Sequence, residues 1–129
     1  MPFDHSVPKQ CIFVGASRRE LKSLPMEVRG EFGHALYEAQ CGGEPVAAKV
    51  LKGFGGRGVL EIVEDFDGST YRAVYTVRFT EAVYVLRVFQ KKSKKGIATP
   101  KTEIELIKAR LRVAEADHHE RFGSKEQKP

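Results

Sequence analysis

Between Tyr71 and Phe79 apolar and polar positions alternate: Tyr71, Ala73, Tyr75, Val77 and Phe79 fall on one side, Arg72, Val74, Thr76 and Arg78 on the other. A period of two is the pattern of a half-buried strand. The run from Ala82 to Lys92 is again rich in β-branched and aromatic residues, and Val59 to Glu64 (VLEIVE) supplies a third strand. Asp67-Gly68 predicts a tight turn between the first two strands, and Thr80-Glu81 a two-residue loop before the third, with Phe79 facing Ala82. These turns set Glu61 against Val74, Val74 against Arg87 and Arg72 against Phe89. The result is a three-stranded antiparallel meander whose core face carries Ile62, Tyr71, Ala73, Tyr75, Val77, Tyr84, Leu86 and Val88. The opposite face, predicted to stay open, carries Glu61, Val63, Arg72, Val74, Arg78, Val85, Arg87, Phe89 and Lys91.

Helical spacing appears on both sides of this meander. Gln10 to Val14 is a short apolar strand, and Ser17 with Glu20 matches a capping box that starts a first helix, interrupted at Pro25. Val28, Phe32, Ala35, Leu36 and Ala39 then recur at helical spacing until Gly42-Gly43. Glu44 to Gly58 reads as a loop. Thr99-Pro100 predicts an N-cap followed by proline at the first helical position. Ile104, Ile107, Leu111 and Ala114 form a stripe opposite Lys101, Glu105, Lys108, Arg112 and Glu115, which predicts an amphipathic helix to about Ala116. The predicted class is α+β: a small antiparallel sheet, two N-terminal helices packed on one face, and a C-terminal helix. Residues 10–116 form one domain in this reading, flanked by a flexible arm at 1–9 and a flexible tail at 117–129.

Composition narrows the class of partner. The 129 residues are 41% hydrophobic and 30% charged, ordinary for a folded domain, with a net charge of +5. Arg87 to Lys101 holds six basic residues and no acidic one, which points to a polyanionic partner, nucleic acid or an acidic protein. Cys11 and Cys41 are the only cysteines and lack metal-binding spacing, so free thiols in a reducing cytoplasm are expected. No apolar run approaches a membrane span. Gly53, Gly55 and Gly58 spell a dinucleotide fingerprint, but a loop precedes them and a strand follows, the wrong context for pyrophosphate at a helix N-terminus. Asp117, His118 and His119 on a tail are expected to be solvated, and no metal or other cofactor is expected.

Glu61, Arg72, Arg87 and Lys91, on one face, have the types and spacing to converge on a phosphate and its neighbours. Such a set can hold a phosphate of a polyanion, with cations meeting its negative charge and a carboxylate able to move a proton. Glu61 is the only carboxylate predicted on that face; a base and a salt-bridge partner for Arg87 are its two open readings. Lys91, Lys92, Lys94 and Lys95 read by themselves as a solvated basic turn.

The order strand, two helices, meander, helix, together with YRAVYTVRF, VLRVFQKKSKK and TPKTEIELIKARL, resembles the RelE/HigB superfamily of bacterial toxins, more narrowly its phage-derived HigB-like branch. The resemblance covers roughly Cys11 to Ala116. It implies a ribosome-dependent mRNA endoribonuclease of a type II toxin–antitoxin system, acting on ribosome and mRNA and neutralised by an antitoxin, expected to be of helix-turn-helix type. It places the superfamily's arginine at Arg72, phosphate contacts at Lys91 and Lys92, and residues near the RNA at Lys49 and Lys52. Arg57, Arg78, Phe89, Lys94 and Lys95 complete the expected RNA-binding set. The branch usually reads Leu-His-x-Phe where this chain has Leu86-Arg87-Val88-Phe89, and an arginine stays charged where a histidine would shuttle protons. A non-enzymatic, ParE-like toxin is the alternative, and an RNA-binding module stacking a base on Phe89 is another.

Overall fold

The computed structural model describes residues 7–56, 58–91 and 99–123. Its elements are β1 (Gln10–Phe13), α1 (Ser17–Lys22), α2 (Met26–Gln40), β2 (Ala48–Val50), β3 (Val59–Phe66), β4 (Ser69–Thr76), β5 (Ala82–Lys91) and α3 (Lys101–His118), with a π-helical turn at His119–Gly123. One sheet runs in the order β1-β5-β4-β3-β2. The β3–β4 and β4–β5 pairs are antiparallel as predicted, β2 adds to β3 antiparallel, and β1 adds to β5 in parallel. The predicted α+β class holds. β2, inside the stretch predicted as loop, was invisible because its three residues, Ala48-Lys49-Val50, are too short to show alternation.

The β3–β4 hairpin follows the predicted register, with Glu61 opposite Val74. Asp67 and Gly68 take positive φ of 53° and 81°, which a two-residue hairpin turn of this hand requires. Between β4 and β5 the predicted register holds from Thr70 opposite Lys91 to Val74 opposite Arg87, and then shifts: Tyr75 faces Val85 and Thr76 faces Tyr84. The extra residue is Leu86. A bulge places two successive side chains on one side and reverses the alternation before it. Tyr84 and Leu86 therefore sit on the face of Arg72, while Val83 and Val85 occupy the other, the reverse of the expectation. β4 also ends at Thr76, so residues 77–81 replace the two-residue loop. Phe79 packs edge-on against Tyr84, with ring centres 5.4 Å apart, instead of facing Ala82.

Several main-chain groups of β5 around the bulge bond to residues outside the sheet ladder. The Val85 carbonyl accepts from the Val14 amide and from the Ser17 hydroxyl, both at 3.0 Å. The Leu86 carbonyl accepts from Arg110 at 2.9 Å, and the Val88 amide donates to Glu20 at 3.1 Å. These duties explain why the predicted capping box does not form: Ser17 is fully buried on the bulge, Glu20 turns toward β5, and Ala16 takes the cap position of α1. Gly15, at φ 55°, brings the chain past Arg110, whose Nε lies 3.3 Å from where a β-carbon would stand.

Both faces of the sheet are covered, which corrects the expectation of an open one. Val28, Phe32, Ala35, Leu36 and Ala39 of α2 pack on Ile62, Tyr71, Ala73, Tyr75, Val83, Val85 and Val88. Ile107, Leu111 and Ala114 of α3, the predicted stripe, pack on Val59, Val74, Tyr84, Leu86 and Phe89. The bulge supplies this second layer, because it turns Tyr84 and Leu86 toward α3. Pro100 rather than Thr99 caps α3. Helical structure continues past Ala116, the predicted end, because His118 is buried there: its ring stacks 4.3 Å from Phe79, and its Nε2 lies 2.6 Å from Glu81 Oε1. Among the described residues no helix is long and apolar enough to cross a membrane.

Ile107 is fully buried against the sheet. Ile107→Ala should therefore cost about 2–5 kcal/mol of stability, read as a lower urea midpoint with an unchanged slope. A loss below about 0.5 kcal/mol, the usual surface value, would mean that α3 is not a core element.

Candidate anion-binding site on the sheet

The covered face keeps a polar end. Register places Lys49 of β2 opposite Glu61 of β3, Glu61 opposite Val74 of β4, and Val74 opposite Arg87 of β5. Two residues along, Arg72 faces Phe89, and Lys91 faces Thr70. Side chains two apart on a strand point the same way, so Lys49, Glu61, Arg72, Arg87 and Lys91 share a face. The structure thus brings together all four expected catalytic residues, Glu61, Arg72, Arg87 and Lys91, under the start of α3.

They are more buried than an open face would allow. Arg72 Nη1 donates to Glu61 Oε1 at 2.7 Å and to the Thr99 hydroxyl at 3.3 Å, while Arg72 Nε has no partner among the described residues. Arg72 is 8% exposed and Glu61 5%. Glu61 pairs with Arg72, not with Arg87 as one of its two readings had it. Lys91 is 5% exposed, and its ammonium has no hydrogen-bond partner among the described residues. Burial first, then the Arg72 charge, pushes the Lys91 ammonium below the ordinary lysine range; Glu61 opposes the shift and Lys49 adds to it. A buried, unpartnered cation beside a second one is a site that favours an anion.

Arg87 is built in differently. Its Nε and Nη2 donate to Glu103 at 2.6 and 2.9 Å, its Nη1 lies 2.8 Å from Glu20, and its guanidinium sits 5.2 Å from the centre of the Phe89 ring. The Glu103 hydrogen bond leads in raising its pKa. Glu20 also accepts two bonds from Arg110, at 3.0 and 2.9 Å. Burial pushes the Glu20 carboxyl up, but the Arg110 hydrogen bond, the Val88 amide and the Arg87 and Arg110 charges together bring it below its ordinary range. Arg87 thus ties β5 to α1 and α3, at the wall of a cleft lined by Phe89, Gln90, Lys91, Pro100, Thr102 and Glu103.

The remaining expected RNA contacts divide. Lys49 and Lys52 are exposed near β2, Lys49 on the site face. Phe89 is 8% exposed and packed in the α3 core, so it offers no free ring for stacking. Arg78 pairs with Glu115 and with the Phe54 carbonyl. Glu115 lies twelve residues beyond Glu103 on α3, about 18 Å along a helix, so Arg78 is at the other end of the face. Arg57, Lys92, Lys94 and Lys95 lie outside the described residues. Sequence reasoning missed Glu20, Thr99, Glu103 and Arg110. Glu103 and Arg110 are seven apart and border the apolar stripe of α3, a spacing that would have placed both toward the sheet.

A model of the family described as phage derived protein Gp49-like (DUF891) matches residues 19–112. Among solved structures, the chain is similar to one in the toxin–antitoxin complex RelBE2 from Mycobacterium tuberculosis, with 24% identity and a TM-score of 0.46 over 70% of this chain and 99% of that one. No curated protein matches the chain.

Lys91→Met keeps the stem and removes the unpartnered ammonium. At neutral pH it should stabilise the fold by about 1–3 kcal/mol, the cost of an unsatisfied buried group. Because the folded pKa of Lys91 is depressed, the unfolded chain holds its proton more tightly, and stability should rise with pH through the window below the ordinary lysine value. Chemical denaturation from neutral to alkaline pH checks both points: the parent gains stability on this limb, and the variant starts higher and gains less.

Proposed function

The chain belongs to the phage-derived Gp49-like family, and we propose that it is the toxin of a type II toxin–antitoxin system, an endoribonuclease that cuts mRNA on the ribosome. The observation that carries the reading is the buried ammonium of Lys91, unpartnered among the described residues, beside the Glu61–Arg72 pair. The resemblance of the meander and its basic continuation to the RelE/HigB superfamily, and to its HigB-like branch, supplies the reaction class. Its partners in this reading are ribosome-bound mRNA and an antitoxin of helix-turn-helix type, in the cytoplasm.

The roles follow from position. A phosphate entering beside Lys91 meets two cations, Lys91 and Arg72, which stabilise the charge that builds as the ribose 2′-oxygen attacks phosphorus. Glu61, already hydrogen-bonded to Arg72, takes the 2′-hydroxyl proton. Lys91 gives a proton to the departing 5′-oxygen, a task suited to a lowered pKa. The P–O5′ bond breaks as the P–O2′ bond forms, leaving a cyclic phosphate and a 5′-hydroxyl. Lys49, exposed beside Glu61, meets the neighbouring backbone. Arg87 holds Glu103 and Glu20 and acts as a positioning residue. With its guanidinium so engaged, and no histidine at position 87, a ParE-like toxin acting by binding alone is the second reading.

Cleavage of ribosome-bound mRNA by purified variants is the test. Lys91→Met should lose roughly a hundredfold or more in rate while melting no lower than the parent. Arg72→Ala alone strands Glu61 and should cost about 3–5 kcal/mol of stability. The double variant Arg72→Ala with Glu61→Gln removes that orphan charge; it should recover much of the stability and remain inactive. A parent that arrests growth on expression but cuts no mRNA under any ribosomal condition would replace the nuclease with the binding toxin.

A further inference from the structure

The strongest unassigned feature lies on the other face of the sheet, at its β2 edge. β2 has β3 on one side only. The Leu51 amide donates to the Val59 carbonyl, so by antiparallel alternation the main chain of Lys49 also points toward β3 and that of Val50 points outward. Below this edge, past the end of α2, a groove is lined by Ala39, Pro45, Val46, Leu60, Tyr75 and Val77. Val46 is wholly exposed and Val50 is 41% exposed.

Tyr75 is the second, independent observation. It is fully buried and lines the groove, and its hydroxyl has no hydrogen-bond partner among the described residues. Burial, with the charges of Glu38 and Glu44, pushes the phenol up to about 12, so it stays a donor. Such a hydroxyl burdens the fold, and phenylalanine would fill the same space without it. An acceptor reaching it through the groove would satisfy this donor. Lys9 and Lys49 line the groove and Lys52 follows β2, against one acidic lining residue, Glu44.

We propose that the β2 edge and this groove dock an extended segment of a partner polypeptide in which apolar and acidic residues alternate. The segment pairs with the outward main chain of Val50, as added strands do at sheet edges. It lays an apolar side chain over Val46 and Leu60 and presents an acceptor to the Tyr75 hydroxyl, while its acidic residues meet the lysines. No role of Arg72 or Lys91 enters, so this inference stands apart from the cleavage reaction. Lys49 belongs to both places: its strand holds the docked segment, and its side chain faces Glu61.

The probe is a fluorescein-labelled eight-residue peptide of alternating valine and glutamate, titrated into the full chain by anisotropy and mapped by amide NMR shifts. Saturable binding with shifts at Ala48, Lys49, Val50 and Tyr75 is expected, and a valine–lysine peptide should bind far more weakly. Tyr75→Phe should weaken binding roughly tenfold yet melt no lower than the parent. Val50→Pro removes only an outward donor, a change edge strands tolerate, and should weaken binding at least as much. The proposal is overturned if no saturable binding reaches the millimolar range, if both variants bind like the parent, or if the shifts centre on Arg72 and Lys91. Self-association through β2, seen by sedimentation and lost in Val50→Pro, would equally overturn it. Parent protein that binds the peptide but cuts no mRNA would leave the docking site standing and remove the nuclease alone.

Discussion

The Glu20 carboxylate is the point on which the fold depends. It stands on a helix of six residues, too short to hold itself in place. Its oxygens accept from Arg110 of α3 and the Val88 amide of β5, and pair with Arg87. One carboxylate therefore joins α1, the bulged strand and α3. Replacing any single partner leaves buried or half-buried charge without its complement, which is where large losses of stability originate. The bulge and this network support each other: without the extra residue Leu86 would face α2, and without Arg110 its carbonyl would lose the partner it has under α3.

The same network sorts the cations of the site. Arg87 has three guanidinium nitrogens engaged with Glu20 and Glu103 and a face against Phe89, so it gives rigidity and little chemistry. Arg72 is half committed, with one nitrogen on Glu61 and Thr99 and another unpartnered among the described residues. The Lys91 ammonium is uncommitted within that same set. A gradient from satisfied to unsatisfied donors runs toward the end of β5. Unpaired buried charge is costly to keep, so its position is the best indicator of where a ligand's charge belongs.

Much of this was legible from alternation and turn chemistry. Asp67-Gly68 fixed the β3–β4 register, and the pairing of Arg72 with Phe89 and Val74 with Arg87 followed the predicted loop even though the loop itself is longer. That success came from the half of the hairpin beyond the bulge. Leu86 was unreadable because Tyr84, Val85 and Leu86 are all apolar: a slip of one residue among apolar side chains leaves no mark in the pattern. The error carried forward, since an alternating β5 implied one apolar face and an open basic one. Glu20 was read as a cap because Ser17 stands three residues before it, and tertiary partners outweighed that local signal. The meeting of Glu61 with Arg72 was within reach, as they are diagonal neighbours across one strand pair.

The parallel pairing of β1 with β5 joins Gln10–Phe13 to Ala82–Val85 across most of the chain. The β3–β4–β5 meander needs only neighbours in sequence, so it can form early, and β1 is a late arrival whose loop must close over some seventy residues of sequence, a slow step in folding. α1 follows β1 directly and brings Glu20 to the bulge only when β1 has docked. Arg87 of β5 is held by Glu20 of α1 and Glu103 of α3, so the bracing of the basic face depends on segments on both sides of β5 in the sequence.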